Sequence, residues 1–279
     1  MPTKIEYADD VVNDQSGCMK IAPGCTNCYA IPFSARLSGM GTELYDGVVK
    51  DNNWTGQINF NPGARAKVLR RKKPTTYFWN TMSDIFHPDV PFEYIVGKFK
   101  VMAATPQHEH LVFTKRFGRA RDYFMGGSPP IKNVVIIFSV AVQKDLDEAT
   151  PFIRDISALG WRIGLSMEPL LGGINLSNVI FVLDRIYCGG ESGPGARPMH
   201  PSWARNVRDQ CAAAGLPFWF KQWGAYIDID EGIRRGLLTT YEGTNKYRPY
   251  TFIKGYSMPF IRVGKHAAGR RLDGVVHDG

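Results

Sequence analysis

The chain has 279 residues, 44% of them apolar and 22% charged, with a net charge of +8 and a pI near 9.2. That length and balance describe a chain able to bury a full core, and they exclude a disordered or low-complexity one. No apolar run is long enough to span a bilayer and the first residues lack a signal peptide's apolar stretch, so the expectation is a cytoplasmic protein with no membrane partner.

A short first strand is predicted at Lys4–Tyr7. The stretch Cys18–Cys28 follows, carrying three of the five cysteines with C-x6-C-x2-C spacing. Pro23 and Gly24 turn the backbone just before the second thiol. An odd number of clustered cysteines argues for a metal site rather than a disulfide framework. Thiolates are soft ligands, suited to zinc or iron–sulfur centres. A structural zinc usually takes four ligands, yet the next histidine in sequence is His87. Three readings stay open on spacing alone. One is a four-iron cluster held at three corners with one iron free. Another is zinc with a distant fourth ligand such as His200 or Cys188. The last is unligated thiols.

A helix is predicted from Tyr29 to about Ser38, ended by Gly39 and Gly41. Residues 42–62 read as irregular. Arg65–Lys73 packs six positive charges into nine residues, either a solvated helix face or a phosphate-contacting stripe. From residue 74 strands and helices alternate. Strands are predicted at Thr75–Trp79, Leu111–Phe113, Asn133–Phe138, Arg162–Leu165, Asp184–Cys188 and Pro217–Phe220. Helices are predicted over Phe92–Ala104, Arg119–Phe124 and Asp145–Leu159, and from a Ser202 cap to Ala214, stopped by Gly215. Such alternation means a parallel sheet with helical crossovers.

The C-terminal ends of these strands are polar or glycine-rich. They are Asn80–Asp84, Thr114–Arg116, Ser139, Ser166–Glu168, Gly189–Ser192 and Lys221–Trp223. In an open sheet only a switch point needs such residues, whereas a barrel gathers every strand end at one mouth. The expected fold is therefore α/β: a partial or full TIM-like (β/α) barrel of parallel strands, with the cysteine loop at its C-terminal mouth. Residues 1–225 are read as the barrel domain and 226–279 as an extension packed on it. His108 and His110 lie at the other end of a strand and read as surface residues. Cys188 and Cys211 read as buried fillers, while His87 and His200 are near strand-end loops and suit proton transfer. The aromatic stretch 217–226 reads as core.

Several motifs together carry a resemblance. They are Gly17–Ala30, Met82–His87, Thr114–Arg116, Ser166–Leu171, Gly189–Gly193, Phe220–Gly224 and Gly264–Gly274. The chain resembles an uncharacterised phage and bacterial three-cysteine-motif family, which is similar to a divergent branch of the radical S-adenosylmethionine superfamily. That superfamily's usual spacing is C-x3-C-x2-C, and the family's N-terminal Trp is replaced here by Tyr7. The resemblance implies a [4Fe–4S] cluster on Cys18, Cys25 and Cys28, with S-adenosyl-L-methionine on the open iron. It places Tyr29, Ser139, Glu168, Gly189, Gly190, Glu191 and Ser192 at the cofactor. Asp84, Lys115 and Lys221 then position substrate or move protons. An external electron donor is implied, and a protein encoded beside this one is a candidate partner. Basic charge and the Arg65–Lys73 run favour a nucleic acid or nucleotide substrate, with DNA base modification or repair as the reaction. Two alternatives belong to other classes: a zinc-bearing nucleic-acid-binding module without turnover, and a phosphodiesterase holding a divalent metal on Asp84, Glu168 and Glu191.

Overall fold

A computed structural model describes residues 5–237 and 250–279. Its centre is a seven-stranded, wholly parallel sheet. The strands are β1 (Asp10–Val12), β2 (Thr76–Trp79), β3 (Glu109–Thr114), β4 (Val134–Ser139), β5 (Arg162–Met167), β6 (Arg185–Gly189) and β7 (Phe218–Gln222), hydrogen-bonded in that order. Consecutive strands are neighbours throughout. Among the described residues β1 and β7 do not pair, so the sheet is a partial barrel rather than a closed one.

The strand sequences explain the layering. Side chains alternate between faces, and a strand covered on both sides reads as a continuous apolar run. In β4, Val134, Ile136 and Phe138 join the core under the helices, while Val135 and Ile137 face the concave lumen with Leu111 and Tyr187. Phe78 and Phe113 stack in that lumen, ring centroids 4.0 Å apart. The helices α1 (Ala30–Gly39), α2 (Ala66–Arg70), α3 (Phe92–Ala103), α4 (Phe117–Met125), α5 (Gln143–Ala158) and α6 (Pro201–Ala214) lie in the crossovers, and β5 reaches β6 through a short 3₁₀ turn at Ile180–Val182. In α5 the buried Leu146, Ala149, Ile153 and Ile156 recur at helical spacing, and the Asp145 carboxylate accepts the Ala141 N–H at 2.8 Å before the first turn. Gly215 takes the left-handed conformation (φ 64°) that ends α6. The cap of that helix is His200, whose ring accepts the Ser202 N–H, rather than Ser202 itself.

After β7 the chain forms an antiparallel sheet of β8 (Tyr226–Asp228), β9 (Tyr250–Phe252) and β10 (Pro259–Arg262), in the order β8-β10-β9. The last residues return to the main sheet. Phe220 N donates to His277 O at 3.0 Å and Trp219 bridges Asp278, which covers the free edge of β7.

Three expectations are corrected. The first strand is Asp10–Val12; Lys4 lies outside the described residues, and Ile5–Ala8 makes a turn. That turn sends the Tyr7 ring into the lumen, 4.1 Å from Tyr187 and 5.9 Å from Phe113, where its hydroxyl finds an acceptor in Glu168 at 2.7 Å. His108 and His110 are buried, at 2% and 0% exposure. β3 begins earlier than its apolar run, so His110 faces the helices, accepting from Trp79 Nε1 at 3.0 Å and meeting Thr105 Oγ1 at 3.0 Å. Burial pushes its pKa down to about 3. The Arg65–Lys73 run is not one helix face, since α2 ends at Arg70 and Arg70–Lys73 are exposed. Arg65 pairs with Asp14 at 2.7 Å and Lys67 with Asp10 at 3.1 Å, and the run enters β2 at the end opposite the mouth.

Beneath the mouth lies a buried polar network that the sequence reading missed. Lys98, fully buried on α3, donates to Asp14 Oδ1 at 2.6 Å, to Asn80 Oδ1 at 3.0 Å and to Gln15 Oε1. Burial lowers its pKa to about 8, against the opposing pull of Asp14. It fixes the segment from which the cysteine loop departs.

Candidate cofactor site at the mouth of the barrel

The cysteine loop leaves the sheet beside β2. Gly17 bridges Ser83, and Ser83 Oγ donates to Gly17 O at 2.6 Å while accepting from Gln15 Nε2 at 2.8 Å. Gly17 has φ +91°, and a Cβ there would stand 1.9 Å from Gln57 O, so only glycine fits. Pro23–Cys25 form a 3₁₀ turn. A Cβ on Gly24 would lie 3.4 Å from Ala141 and 3.5 Å from Lys115 and Pro169, so the turn rests on the ends of β3, β4 and β5. Asn27 Nδ2 then donates to Glu191 Oε2 at 3.0 Å and to Gly195 O at 2.6 Å, and Arg197 Nη2 reaches Pro23 O at 3.0 Å. The loop is thus strapped across the mouth from β2 to β6.

Its three thiols are free and half-buried. Burial, with the charges of Asp84 and Cys28, pushes the Cys18 thiol up to about 12, against the pull of Arg116. Burial also raises Cys28, while Lys115 acts to lower it. Cys28 acts on Cys18 and Cys25 acts on Cys28, so the three are linked electrostatically along the loop. Among the described residues no three His, Cys, Asp or Glu side chains converge on a single-ion position. Three half-buried thiols on one loop, with Lys115 and Arg116 beside them, are soft donors of the type a thiolate-bound metal centre uses.

The fourth ligands weighed for zinc lie elsewhere. Cys188 is fully buried in the core under the helices, as is Cys211, and the His200 ring caps α6 and stacks 4.1 Å from Tyr256. The three carboxylates weighed for a divalent metal are each engaged separately. Asp84 accepts from Thr114 Oγ1 at 2.8 Å, Phe86 N at 2.9 Å and Lys115 N at 3.0 Å. Glu191 accepts from Arg197 Nη2 at 2.6 Å, Arg197 N and Nε at 2.8 Å, and Asn27. Glu168 accepts from the Tyr7 hydroxyl at 2.7 Å and faces Lys221 Nζ at 3.3 Å.

The sequence-selected residues fall into three sets. Ser139, Ser166, Glu168, Gly189 and Lys221 meet on the lumen side of the mouth: Ser139 and Ser166 are register partners, and a Cβ on Gly189 would lie 3.1 Å from Glu168 Oε1. Lys115 and Tyr29 flank the cysteine loop, the Tyr29 hydroxyl donating to Thr81 O at 2.8 Å. Asp84, Gly190 and Glu191 hold the framework, and Ser192 opens the loop that Asn27 grips at Gly195. A Cβ on Gly190 would stand 1.9 Å from Trp223 O, so glycine lets β6 and β7 close together. His87 is wholly buried. Sequence reasoning missed Arg197, whose only signal is a positive charge six residues after Glu191.

Among solved structures the chain is similar to spore photoproduct lyase. One variant, with bound AdoMet and dinucleoside spore photoproduct, has a TM-score of 0.45 at 14% identity over 94% of this chain and 71% of that one. Another variant gives a TM-score of 0.46 at 14% identity over 96% and 72%. No curated protein matches the chain. The family model described as Protein of unknown function (DUF5131) matches residues 2–279, and the chain belongs to that family.

Proposed function

We propose that this chain is a radical S-adenosylmethionine-type enzyme acting on a nucleic acid or nucleotide, with Cys18, Cys25 and Cys28 holding a [4Fe–4S] cluster. The observation that carries the reading is one loop bearing three free, half-buried thiols, strapped over the polar ends of a partial barrel's strands. When bound and reduced, such a cluster supplies the electron that splits S-adenosylmethionine, and the protein contributes binding, orientation and exclusion of water.

On this reading the lumen-side set does the holding. Glu168 Oε1 is buried, without a hydrogen bond, and faces Lys221. It offers an acceptor to an ammonium or hydroxyl group, with Ser139 and Ser166 supplying hydroxyls beside it. Lys221 offers a donor to an anionic or carbonyl group, and Lys115 a second cation next to the loop. Asp84 acts as a positioning residue, because its carboxylate fixes the Lys115 backbone. Glu191 and Gly190 contribute by holding the loop and the strand ends, with Tyr29 and Ser192 at its flanks.

The test is turnover. Protein reconstituted anaerobically with iron and sulfide should cleave S-adenosylmethionine to methionine and 5′-deoxyadenosine under dithionite. Lys221→Ala should weaken cofactor binding, and Cys25→Ala should abolish cleavage. Full cleavage by Cys25→Ala contradicts the assignment.

A further inference from the structure

Among the described residues few buried side-chain donors and acceptors lack a hydrogen bond; His87 Nε2, Arg116 Nε and Arg119 Nε are three of them, and both guanidiniums lie near enough to act on the His87 ring. His87 is fully buried. Its Nδ1 accepts the Asp89 N–H at 3.3 Å, so Nε2 carries the proton and is a donor. A guanidinium Nε is always a donor. All three unmet groups therefore want an acceptor, and a buried donor left unpaired is costly enough that native proteins seldom keep one.

The three groups are brought together by named contacts. Asp84 accepts from Phe86 N, Thr114 Oγ1 and Lys115 N, which locks the loop after β2 against the start of α4. Arg119 Nη2 donates to Val90 O at 2.8 Å, and Val90 N bonds His87 O at 3.0 Å. Arg119 lies in the first turn of α4, three residues after Arg116, and both charges act on the His87 ring. Arg116 is also the N-cap of that nine-residue helix, whose cap makes no side-chain hydrogen bond. The site lies on the rim of the mouth, because Arg116 Nη2 approaches Met19 O at 3.5 Å, beside Cys18. Two carboxylates are close. Asp84 is spent on its own three donors, and Asp89 is mostly exposed on the Nδ1 side of the ring at 3.7 Å. Burial and the charge of Arg116 keep His87 below the usual imidazole range, hence neutral and still a donor through Nε2.

We infer that the first turn of α4, with His87, Arg116 and Arg119, is a phosphate-binding subsite that receives one phosphate group of a nucleotide or nucleic-acid strand. Two guanidiniums, an imidazole N–H and a helix N-terminus are the donors that tetrahedral phosphate oxygens accept. The inference deepens the substrate half of the proposed function and rests on that half alone, since phosphate binding needs no cluster.

The test uses the full chain before any iron is loaded. Calorimetric titration with inorganic phosphate, thymidine 5′-monophosphate, thymidine and a short single-stranded oligonucleotide should show saturable binding of every probe except thymidine. Arg116→Gln and Arg119→Gln should each weaken phosphate binding at least about tenfold, as loss of a charged hydrogen bond predicts. Lys132→Gln, an exposed charge just before β4 at the end opposite the mouth, should leave it unchanged. Unaltered melting curves would show that the variants are folded; if Arg119→Gln melts early, Arg119→Lys replaces it. Monophosphate binding as tight as that of the oligonucleotide identifies a free nucleotide as the source, and a large preference for the oligonucleotide identifies a strand. The inference is overturned if the natural chain does not bind phosphate saturably, or if folded Arg116 and Arg119 variants bind it equally well; the orphaned donors then meet only water. Phosphate binding in a protein that never takes up iron would sink the enzyme reading and leave this one standing.

Discussion

Single residues show where a functional reading and a packing reading part. Gly190 sits in a segment that the family resemblance places at the cofactor, yet a Cβ there would lie 1.9 Å from Trp223 O and 2.5 Å from its carbon. Gly190→Ala must therefore spread β6 from β7, and it should cost about 1–3 kcal/mol, read as a lower urea midpoint. His110 makes a prediction in pH. Its pKa is near 3 when folded and 6.5 in its ordinary state. Between those values the unfolded chain binds the extra proton, so stability is complete above about pH 6.5 and falls as pH drops toward 3. The slope from this one group reaches about 1.4 kcal/mol per pH unit. His110→Gln should flatten that part of a stability–pH profile measured by denaturant titration. Neither residue's role was legible beforehand. Gly190 depends on a contact with a strand more than thirty positions away, and His110 on which face of β3 meets the helices.

At the scale of elements, what repeats locally was legible and what closes at long range was not. The apolar run of β4, the period of α5 and the Gly215 stop can be read from neighbouring residues, and the structure keeps them within a residue or two. Tyr7 misled because a turn placing one aromatic ring in the lumen has the same local composition as a short strand. The Arg65–Lys73 run does not continue as one helix, and three of its charges, Arg65, Lys67 and Arg71, answer Asp14 and Asp10 more than fifty residues earlier. The grouping of three thiols on one loop was legible, but the strap that holds that loop was not. Asn27 reaches Glu191 across 164 positions. Asn27→Ala should free the loop without unfolding the chain: amide exchange over residues 18–28 should quicken, while global stability drops by no more than about 3 kcal/mol, the upper worth of a hydrogen bond to a charged group. Equal loss of protection across the whole sheet would show that the strap supports the fold rather than the loop.

The whole molecule is a partial parallel barrel whose open side is lined by the N-terminal turn and the returning C-terminal residues, and whose mouth gathers the polar strand ends and the cysteine loop. No helix among the described residues is long and apolar enough to cross a membrane. With a net charge of +8, affinity for single-stranded DNA should fall steeply with salt, with a log–log slope of about −0.7 per phosphate neutralised. Affinity that ignores salt would detach the basic charge from the substrate. The account rests most heavily on what the three thiols hold, and elemental analysis with a visible spectrum of anaerobically reconstituted protein tests that directly. The account predicts iron and sulfide in equal amounts, a brown chromophore bleached by dithionite, and loss of both in Cys18→Ala, Cys25→Ala and Cys28→Ala. Stoichiometric zinc in place of iron, or a Cys25→Ala protein with its full iron and sulfide, would contradict it.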